Sequence, residues 1–364
     1  MKIICQKEDL LHGVNIVSKA VSNRTTLPIL ECILIDVKND TINLIGNDLE
    51  LAINSKLVGN IEKEGSIAIE SKMFSEIVRK LPDNEVTIEV LENNLVKITS
   101  ENCEFKLMGQ DATDFPKIPE VEKEKMCEIS EIILKNMIKQ TIFSVAIEET
   151  KPILTGELFE IEGNSLKVVS CDGYRVSYRE EFIKNNSNEP IKIVVPGKTL
   201  SEINKILEDN DENVKIYYTD NHILFDLGST IVVSRLLEGE YFNYSQSFTK
   251  DYETKVSINK SKLLLAIERA ALMSRVNKKH HIKINISEGK INISSNTEIG
   301  EAHEDIYTDV KGKDILIGFN PKYLIDALKA IDDDEISIQF TSSLSPCIIE
   351  GQNYKYLVMA VRLS

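Results

Sequence analysis

Apolar positions along this chain follow two rhythms, and the pair of rhythms comes round three times. Phe74, Ile77, Val78 and Leu81 keep the i, i+3, i+4, i+7 spacing of a helix with one buried stripe. Leu200, Ile203 and Leu207 repeat it with a polar gap at Asn204, and Leu324, Ala327, Leu328 and Ile331 repeat it in full. Each helix follows a short apolar run (Ile67-Ala-Ile, Ile193-Val-Val, Ile317-Gly-Phe). Each precedes an acidic or polar turn and another apolar run (Val86-Thr-Ile, Val214-Lys-Ile, Ile336-Ser-Ile). The aligned lysines Lys72, Lys198 and Lys322 stand 126 and 124 residues apart. That period is too long for a solenoid and right for whole domains.

A second helix opens each unit, over residues 8–21 (Leu11, Val14, Val17, Val21), 130–146 (Leu134, Met137, Ile138, Phe143) and 260–274 (Leu264, Ile267, Ala270, Ala271). Between the two helices, alternating runs such as Ile42-Asn-Leu-Ile, Leu166-Lys-Val-Val-Ser and Ile291-Asn-Ile-Ser read as strands, punctuated at Asp172-Gly173 and Glu288-Gly289. Ser71 and Asn320, the latter before Pro321, suit N-cap positions, and Pro82 stops the first of the repeated helices. Polar, aperiodic stretches near Pro119–Lys125 and Ser247–Thr254 mark boundaries. The expectation is an α+β chain of three repeated domains of like topology, over residues 1–121, 126–248 and 252–364, each with two helices on a strand-rich layer.

The polar faces of the repeated helices share a trio at i, i+4, i+7: Lys72, Glu76, Arg79; Lys198, Glu202, Lys205; Lys322, Asp326, Lys329. Seven residues are close to two turns, so each trio lies opposite the apolar stripe. The opening helices add Lys19 and Arg24, then Lys135 and Lys139, then Lys260, Lys262, Arg269 and Arg275, with Lys278 and Lys279 just beyond. The chain's net charge is −15, yet all six helical windows are net positive. Two readings are open. Lys/Glu pairs simply make solvated, mildly stabilised faces, or equivalent helices build one basic surface aimed at a phosphate backbone. Interspersed carboxylates would keep such contacts weak and sequence-blind.

Composition narrows the function classes. Of 364 residues, 42% are hydrophobic and 28% charged, which is globular usage. No run approaches the ~18 to 20 apolar residues of a membrane span, and the start shows no secretory signal. A cytoplasmic chain with no membrane partner is expected. Cys5, Cys32, Cys103, Cys127, Cys171 and Cys347 lie far apart, and His280-His281 have no cysteine nearby, so buried reduced thiols are expected rather than a metal site. Phosphate-binding Gly-rich loops, Gly-x-Ser-x-Gly and His-Glu-x-x-His are absent from the sequence. Asp332-Asp333-Asp334 sits where every repeat has an acidic or polar turn, so it reads as a helix-to-strand loop. Asp48 and Asp172 occupy similar post-strand positions and read as structural. No constellation supports catalysis, and no cofactor is expected.

Five stretches then identify a family: Arg24-Thr-Thr-Leu-Pro-Ile-Leu, Gly46-Asn-Asp-Leu-Glu, Asp114-Phe-Pro, Asp172-Gly-Tyr-Arg and Val358-Met-Ala-Val-Arg-Leu. In order and over the whole length, the chain resembles bacterial DNA polymerase III beta subunits, the sliding clamps. The resemblance implies a DNA clamp fold in which two chains join head to tail as a ring, helices lining the hole and sheets outside. Duplex DNA would pass through without base-specific contact, facing Arg24, Lys72, Arg79, Lys135, Lys139, Lys198, Lys205, Lys260, Arg269, Arg275, Lys322 and Lys329. A clamp of this kind is a processivity factor that tethers polymerase by topology. It is non-catalytic, and a separate ATP-driven loader opens it. The implied location is the cytoplasm, at the nucleoid and replisome.

The resemblance also implies a groove for a short extended peptide, typically starting with Gln and ending in Leu-Phe. Such peptides come from the replicative polymerase alpha subunit, clamp-loader subunits and other proteins bearing the clamp-binding motif. The matching positions are Leu154, Cys171, Gly173, Tyr174, Arg175, Val176, Phe242, Pro346, Met359, Val361 and Arg362; Leu, Val and Met would give an adaptable apolar pocket, with Arg fixing orientation. Phe242 stands where the pattern usually has Pro, Gln246 and Ser247 where a basic and an apolar residue are common, and Ala360 where Pro is usual. Glu149 stands where some relatives carry a neutral DNA-contacting side chain. At the ring interface, Phe105 and Leu107 on an edge strand would face Leu272 and Met273 of the other chain. The alternative reading is a repeat-built protein-interaction scaffold that does not encircle DNA.

Overall fold

The computed structural model describes residues 1–22, 25–147, 150–187, 189–248, 251–274, 281–298 and 300–363. The chain folds into two compact units. Unit one comprises Met1–Glu131, Lys184–Ser187 and Lys205–Leu236, and unit two comprises Ile132–Ile183, Asn188–Asn204 and Leu237–Ser364. The middle sequence repeat is therefore shared between the units, because its strands extend two different sheets.

Unit one holds two antiparallel sheets. The first runs, in spatial order, β5 (Gly59–Lys63), β1 (Lys2–Gln6), β7 (Glu85–Val90), β8 (Leu95–Ser100) and β9 (Cys103–Met108). The second runs β14 (Lys184–Asn185), β10 (Met126–Ser130), β16 (Asn213–Tyr218), β17 (His222–Asp226), β18 (Thr230–Arg235), β4 (Leu51–Leu57), β3 (Thr41–Asn47), β2 (Cys32–Lys38) and β6 (Gly65–Glu70). Unit two repeats the plan. Its long sheet runs β15 (Ile191–Pro196), β11 (Gly156–Glu162), β12 (Ser165–Cys171), β13 (Arg175–Phe182), β27 (Tyr354–Val358), β26 (Cys347–Glu350), β25 (Glu335–Phe340), β19 (Thr254–Asn259) and β23 (Asp309–Gly312). Its short sheet runs β22 (Gly300–Tyr307), β21 (Lys290–Thr297), β20 (Ile282–Ser287) and β24 (Ile315–Phe319).

Six α-helices are described: α1 (Lys7–Val17), α2 (Ser71–Lys80), α3 (Glu131–Thr141), α4 (Gly197–Ile206), α5 (Lys260–Ser274) and α6 (Pro321–Ala330). The apolar stripes are buried as their period predicts: Phe74, Ile77, Val78 and Leu81 in the first repeat, and Leu324, Ala327, Leu328 and Ile331 in the third. Asn320 caps α6 by accepting the Lys322 N–H at 3.0 Å, with Pro321 at N1. The cap of α2 differs from expectation. Glu70, not Ser71, accepts the N–H groups of Lys72 and Met73, because a longer carboxylate one residue earlier reaches both donors. Ser71 is the first helical residue and is buried. Leu81, the residue before Pro82, turns extended with ψ 152°, as a proline requires of its predecessor.

Each long sheet contains a junction between sequence repeats, and the two junctions match residue for residue. In unit one β18 pairs antiparallel with β4: Thr230 opposite Ser55, Val232 opposite Ile53, Ser234 opposite Leu51. In unit two β27 pairs with β13: Tyr356 opposite Ser177, Val358 opposite Arg175. The flanking hydrogen bonds also match. Lys56 N–H donates to the Ser229 carbonyl and Glu180 N–H to that of Asn353, both at 2.9 Å, while Arg235 N–H donates to Glu50 and Met359 N–H to Tyr174, again at 2.9 Å. The loop before each second strand is built alike. Asp48 Oδ1 accepts the N–H groups of Glu50 and Leu51, and Asp172 Oδ1 those of Tyr174 and Arg175. Both aspartates are therefore turn-makers, as their positions imply.

Candidate functional site

Unit two carries a cleft of about 570 Å³ between the Lys151–Leu154 turn, the β12–β13 turn, the Glu240–Ser247 segment and the end of β27. Eight of the eleven expected groove residues line it: Leu154, Cys171, Gly173, Arg175, Val176, Phe242, Pro346 and Met359. Lys151, Ile153, Glu240, Ser247 and Leu357 line it as well. Leu357 was legible by period two, since it lies two residues before Met359 on one face of the strand. The floor is apolar and buried at Leu154, Val176 and Leu357, and Met359 stands 41% exposed at the rim. Phe242 rests against Tyr241 with ring centroids 5.4 Å apart, and the hydroxyl of the half-buried Tyr241 donates to the Val169 carbonyl.

Three expected residues stand elsewhere. Tyr174 is 61% exposed and stacks on Tyr323 of α6, centroids 5.9 Å apart. Val361 bridges to β24, its N–H donating to the Gly318 carbonyl at 2.9 Å, and Arg362 is exposed. Arg175 lines the cleft and is also tied to its own unit. Its guanidinium is turned inward: Nε meets Asp172 Oδ2 at 2.9 Å, Nη1 meets Asp326 Oδ2 at 2.7 Å and Nη2 meets the Phe143 carbonyl at 2.5 Å. The rings of Phe143 and Tyr323 flank it at 5.3 and 4.7 Å. Two carboxylates and a carbonyl therefore fix the orientation of the guanidinium.

Gly173 has φ +90°, and a Cβ there would meet nothing within 4 Å, so conformation rather than space calls for glycine. Its N–H donates to Cys171 Sγ at 3.2 Å. Burial pushes the Cys171 thiol up, and it pushes those of Cys5, Cys127 and Cys347 up to about 12. These are unreactive packing residues. Beneath the sheet, Glu157 is fully buried. The Thr141 hydroxyl nearby donates to the Met137 carbonyl, and neither carboxyl oxygen of Glu157 has a hydrogen-bond partner among the described residues. Burial pushes its carboxyl up to about 8, so it is largely protonated at neutral pH.

The cationic positions divide. Lys72, Arg79, Lys139, Lys198, Lys205, Lys322 and Lys329 are exposed, and Lys135 is half-buried. Lys329 pairs with Glu268 at 2.7 Å. Lys260 differs from the expected phosphate contact: it is half-buried, and its ammonium donates to the Ile331 carbonyl at 2.7 Å, holding α5 to the end of α6. Arg269 is exposed but forms a two-pronged pair with Glu304 on β22, at 2.7 and 2.8 Å. Arg24 and Arg275 lie outside the described residues, as does Glu149.

Two of the sheet-end strands, β9 and β22, belong to different units. Among the described residues β9 pairs only with β8, and β22 only with β21. Phe105 on β9 is 38% exposed, Leu107 half-buried, Leu272 52% exposed and Met273 half-buried. No group of three or more His, Cys, Asp or Glu among the described residues could hold a metal, and no described helix is long and apolar enough to cross a membrane.

Comparison with known proteins covers the whole chain. Models of the DNA polymerase III beta subunit match over residues 1–119 (N-terminal domain), 128–243 (central domain) and 246–362 (C-terminal domain). The chain is 37% identical over 372 residues to the beta sliding clamp of Bacillus subtilis (strain 168), covering 99% of this chain and 98% of that one. It is 36% identical to the beta sliding clamp of Staphylococcus aureus (strain Mu50), covering 96% and 95%. Among solved structures, the Bacillus subtilis DNA polymerase sliding clamp aligns with TM-score 0.97 at 36% identity over 100% of both chains. A sliding clamp from Pseudomonas aeruginosa bound to griselimycin aligns with TM-score 0.95 at 27% identity, again over 100% of both.

Proposed function

The chain belongs to the DNA polymerase III beta subunit family, and from that premise we propose that it is a sliding clamp: two copies close head to tail around duplex DNA and tether replication proteins through the unit-two cleft. The three family domains correspond to residues 1–121, 126–248 and 252–364 on this reading. The clamp acts without catalysis, at the replisome in the cytoplasm. Its partners are duplex DNA, a second copy, the polymerase alpha subunit, clamp-loader subunits and other proteins bearing the clamp-binding motif.

The observation that carries ring closure is the match between junctions. The turn before β18 and the turn before β27 close with the same bond, Leu227 N–H to Thr230 and Gly351 N–H to Tyr354, and Ser100 pairs with Cys103 at the corresponding turn before β9. So β9, β18 and β27 are equivalent strands of successive repeats. On the other side, Gly46 pairs with Ile53, Ser170 with Ser177 and Ser295 with Ala302, which makes β4, β13 and β22 equivalent. Two of the three possible pairings, β18 with β4 and β27 with β13, are made within the chain. The third, β9 with β22, is left for a second copy. In the shared register Phe105 stands opposite Ala302, Lys106 opposite Glu301, Leu107 opposite Gly300 and Cys103 opposite Glu304 of that copy. Leu272 and Met273 lie beside the same seam. The exposed lysines and arginines of the helices supply the weak, salt-sensitive attraction for a phosphate backbone.

The test is retention on nicked circular plasmid against the same plasmid linearised, with the cognate loader and ATP. A clamp stays on the circle and runs off the line. Equal retention on both means ordinary binding, and no retention with an active loader favours a protein-binding scaffold.

A further inference from the structure

We propose that Asp326, on the cationic helix α6, is a positioning residue for the peptide groove, acting through Arg175. The inference rests on reading the unit-two cleft as a peptide site. Asp326 itself lines no part of that cleft. It reaches Arg175 Nη1 at 2.7 Å, and the Arg175 side chain is only 8% exposed.

From Arg175 the connection runs through hydrogen bonds to the groove wall. Its Nε holds Asp172 Oδ2, while Asp172 Oδ1 accepts the N–H groups of Tyr174 and Arg175, at 2.9 and 3.1 Å. That fixes the turn from Asp172 to Arg175. Within the turn, Gly173 N–H meets Cys171 Sγ and the Tyr174 carbonyl accepts the Met359 N–H at 2.9 Å. Cys171, Gly173 and Met359 all line the cleft. Helix α6 braces the turn a second time through Tyr323, which stacks on Tyr174 and flanks the guanidinium.

A guanidinium is a rigid planar fork, so its orientation is set by the acceptors around it. Losing one partner of a buried pair leaves the other charge under-compensated and free to seek new acceptors. Without Asp326, Arg175 is held by Asp172 and the Phe143 carbonyl as its remaining hydrogen-bond acceptors, and the turn that shapes one wall of the groove loses its ionic tie to α6 and keeps only the Tyr323 stack. Asp326 is also the middle member of the charge trio Lys322, Asp326, Lys329. Its carboxylate therefore serves two surfaces of unit two at once: it subtracts from the positive charge of α6 and orders the groove.

The test uses the full-length chain and a fluorescein-labelled peptide that starts with Gln and ends in Leu-Phe, read by anisotropy. Asp326→Asn is expected to weaken binding about tenfold, the size of effect seen for coupled polar networks. Asp326→Glu should restore most of it. Arg175→Gln combined with Asp326→Asn should bind no worse than Arg175→Gln alone. The same Asp326→Asn chain should associate more strongly with duplex DNA, because α6 gains a positive charge; general unfolding would weaken both interactions. Wild-type affinity in Asp326→Asn alongside a loss in Arg175→Gln would mean that Arg175 meets the peptide directly, and would overturn the proposal. Additive losses in the double variant would overturn it too. A wild-type chain that binds no such peptide would instead remove the groove reading itself.

Discussion

The two closed junctions and the open edge β9 use one strand pattern with opposite outcomes. At the closed junctions the inward residues are sealed: Thr230, Val232 and Ser234 in unit one, and Tyr354, Tyr356 and Val358 in unit two, are at most 5% exposed. Their equivalents on β9 are Cys103, Phe105 and Leu107, and Phe105 is 38% exposed. Same position, same alternation, different burial: what differs is that β18 and β27 have a second partner strand within the chain and β9, among the described residues, pairs only with β8. An unpaired edge with a large apolar side chain invites pairing, and here the chain twice shows which strand should provide it.

The closed junctions differ from each other underneath. The inner face of the first sets Leu51 and Ile53 beside a buried pair in which the Thr230 hydroxyl meets Ser55 at 3.3 Å. The second sets Tyr356 and Val358 beside a Ser144–Ser177 hydroxyl pair at 2.5 Å, and further along the same sheet Ser170 donates to the Thr141 carbonyl at 2.6 Å and Glu157 is fully buried.

The largest effect should come from opening a closed junction. Tyr356→Ala removes a side chain that is 1% exposed, and denaturant titration should show a loss of about 3–5 kcal/mol. The next tests the polar underside. The Glu157 carboxyl titrates near 8 when folded, above its unfolded value, so it favours the folded state at low pH. That preference is lost as pH rises from the unfolded pKa through about 8. Glu157→Gln should therefore flatten the pH dependence between 5 and 8 and add up to about 3 kcal/mol at pH 7; an unchanged pH profile would contradict this.

At the open edge the same kind of substitution should act on assembly instead of folding. Phe105→Ala should cost the monomer no more than about 1 kcal/mol while raising the dimer dissociation constant about 30- to 100-fold. Sedimentation of Leu272→Ala with Met273→Ala should likewise show monomers. The smallest and most specific effect concerns register. Lys106→Glu or Glu301→Lys alone should weaken the dimer about tenfold, and the two together should restore it. A double variant as weak as either single one would argue for a different register.

Much of this was legible in the sequence, because helix periodicity and repeat spacing are set by short-range physics. The Phe74 and Leu324 stripes fall where period 3.6 puts them, and Asp48 and Asp172 make the turns their positions imply. What escaped sequence reasoning depends on partners distant in the chain. The partner that holds Arg175, Asp326, lies 151 residues away in the chain. Lys260 looks like a phosphate contact until Ile331 takes its ammonium. The cap of α2 moved one residue because Glu70 reaches two amides where Ser71 would reach one. The cleft residues Lys151, Ile153 and Glu240 come from loops whose approach no periodicity records.

The most direct test of the third junction is a disulfide. In the register of the two closed junctions, Cys103 faces Glu304 of the second copy as a non-hydrogen-bonded antiparallel pair. The Cα atoms of such a pair lie about 4.5 Å apart, within disulfide reach. Glu304→Cys should give a covalent dimer on mild oxidation, lost on reduction and absent when Cys103 is replaced by Ser. The cross-linked protein should enter circular DNA only if loaded before oxidation. A chain that stays monomeric on a denaturing gel while sedimenting as a dimer would contradict the register, and one that sediments as a monomer at every concentration would contradict the ring.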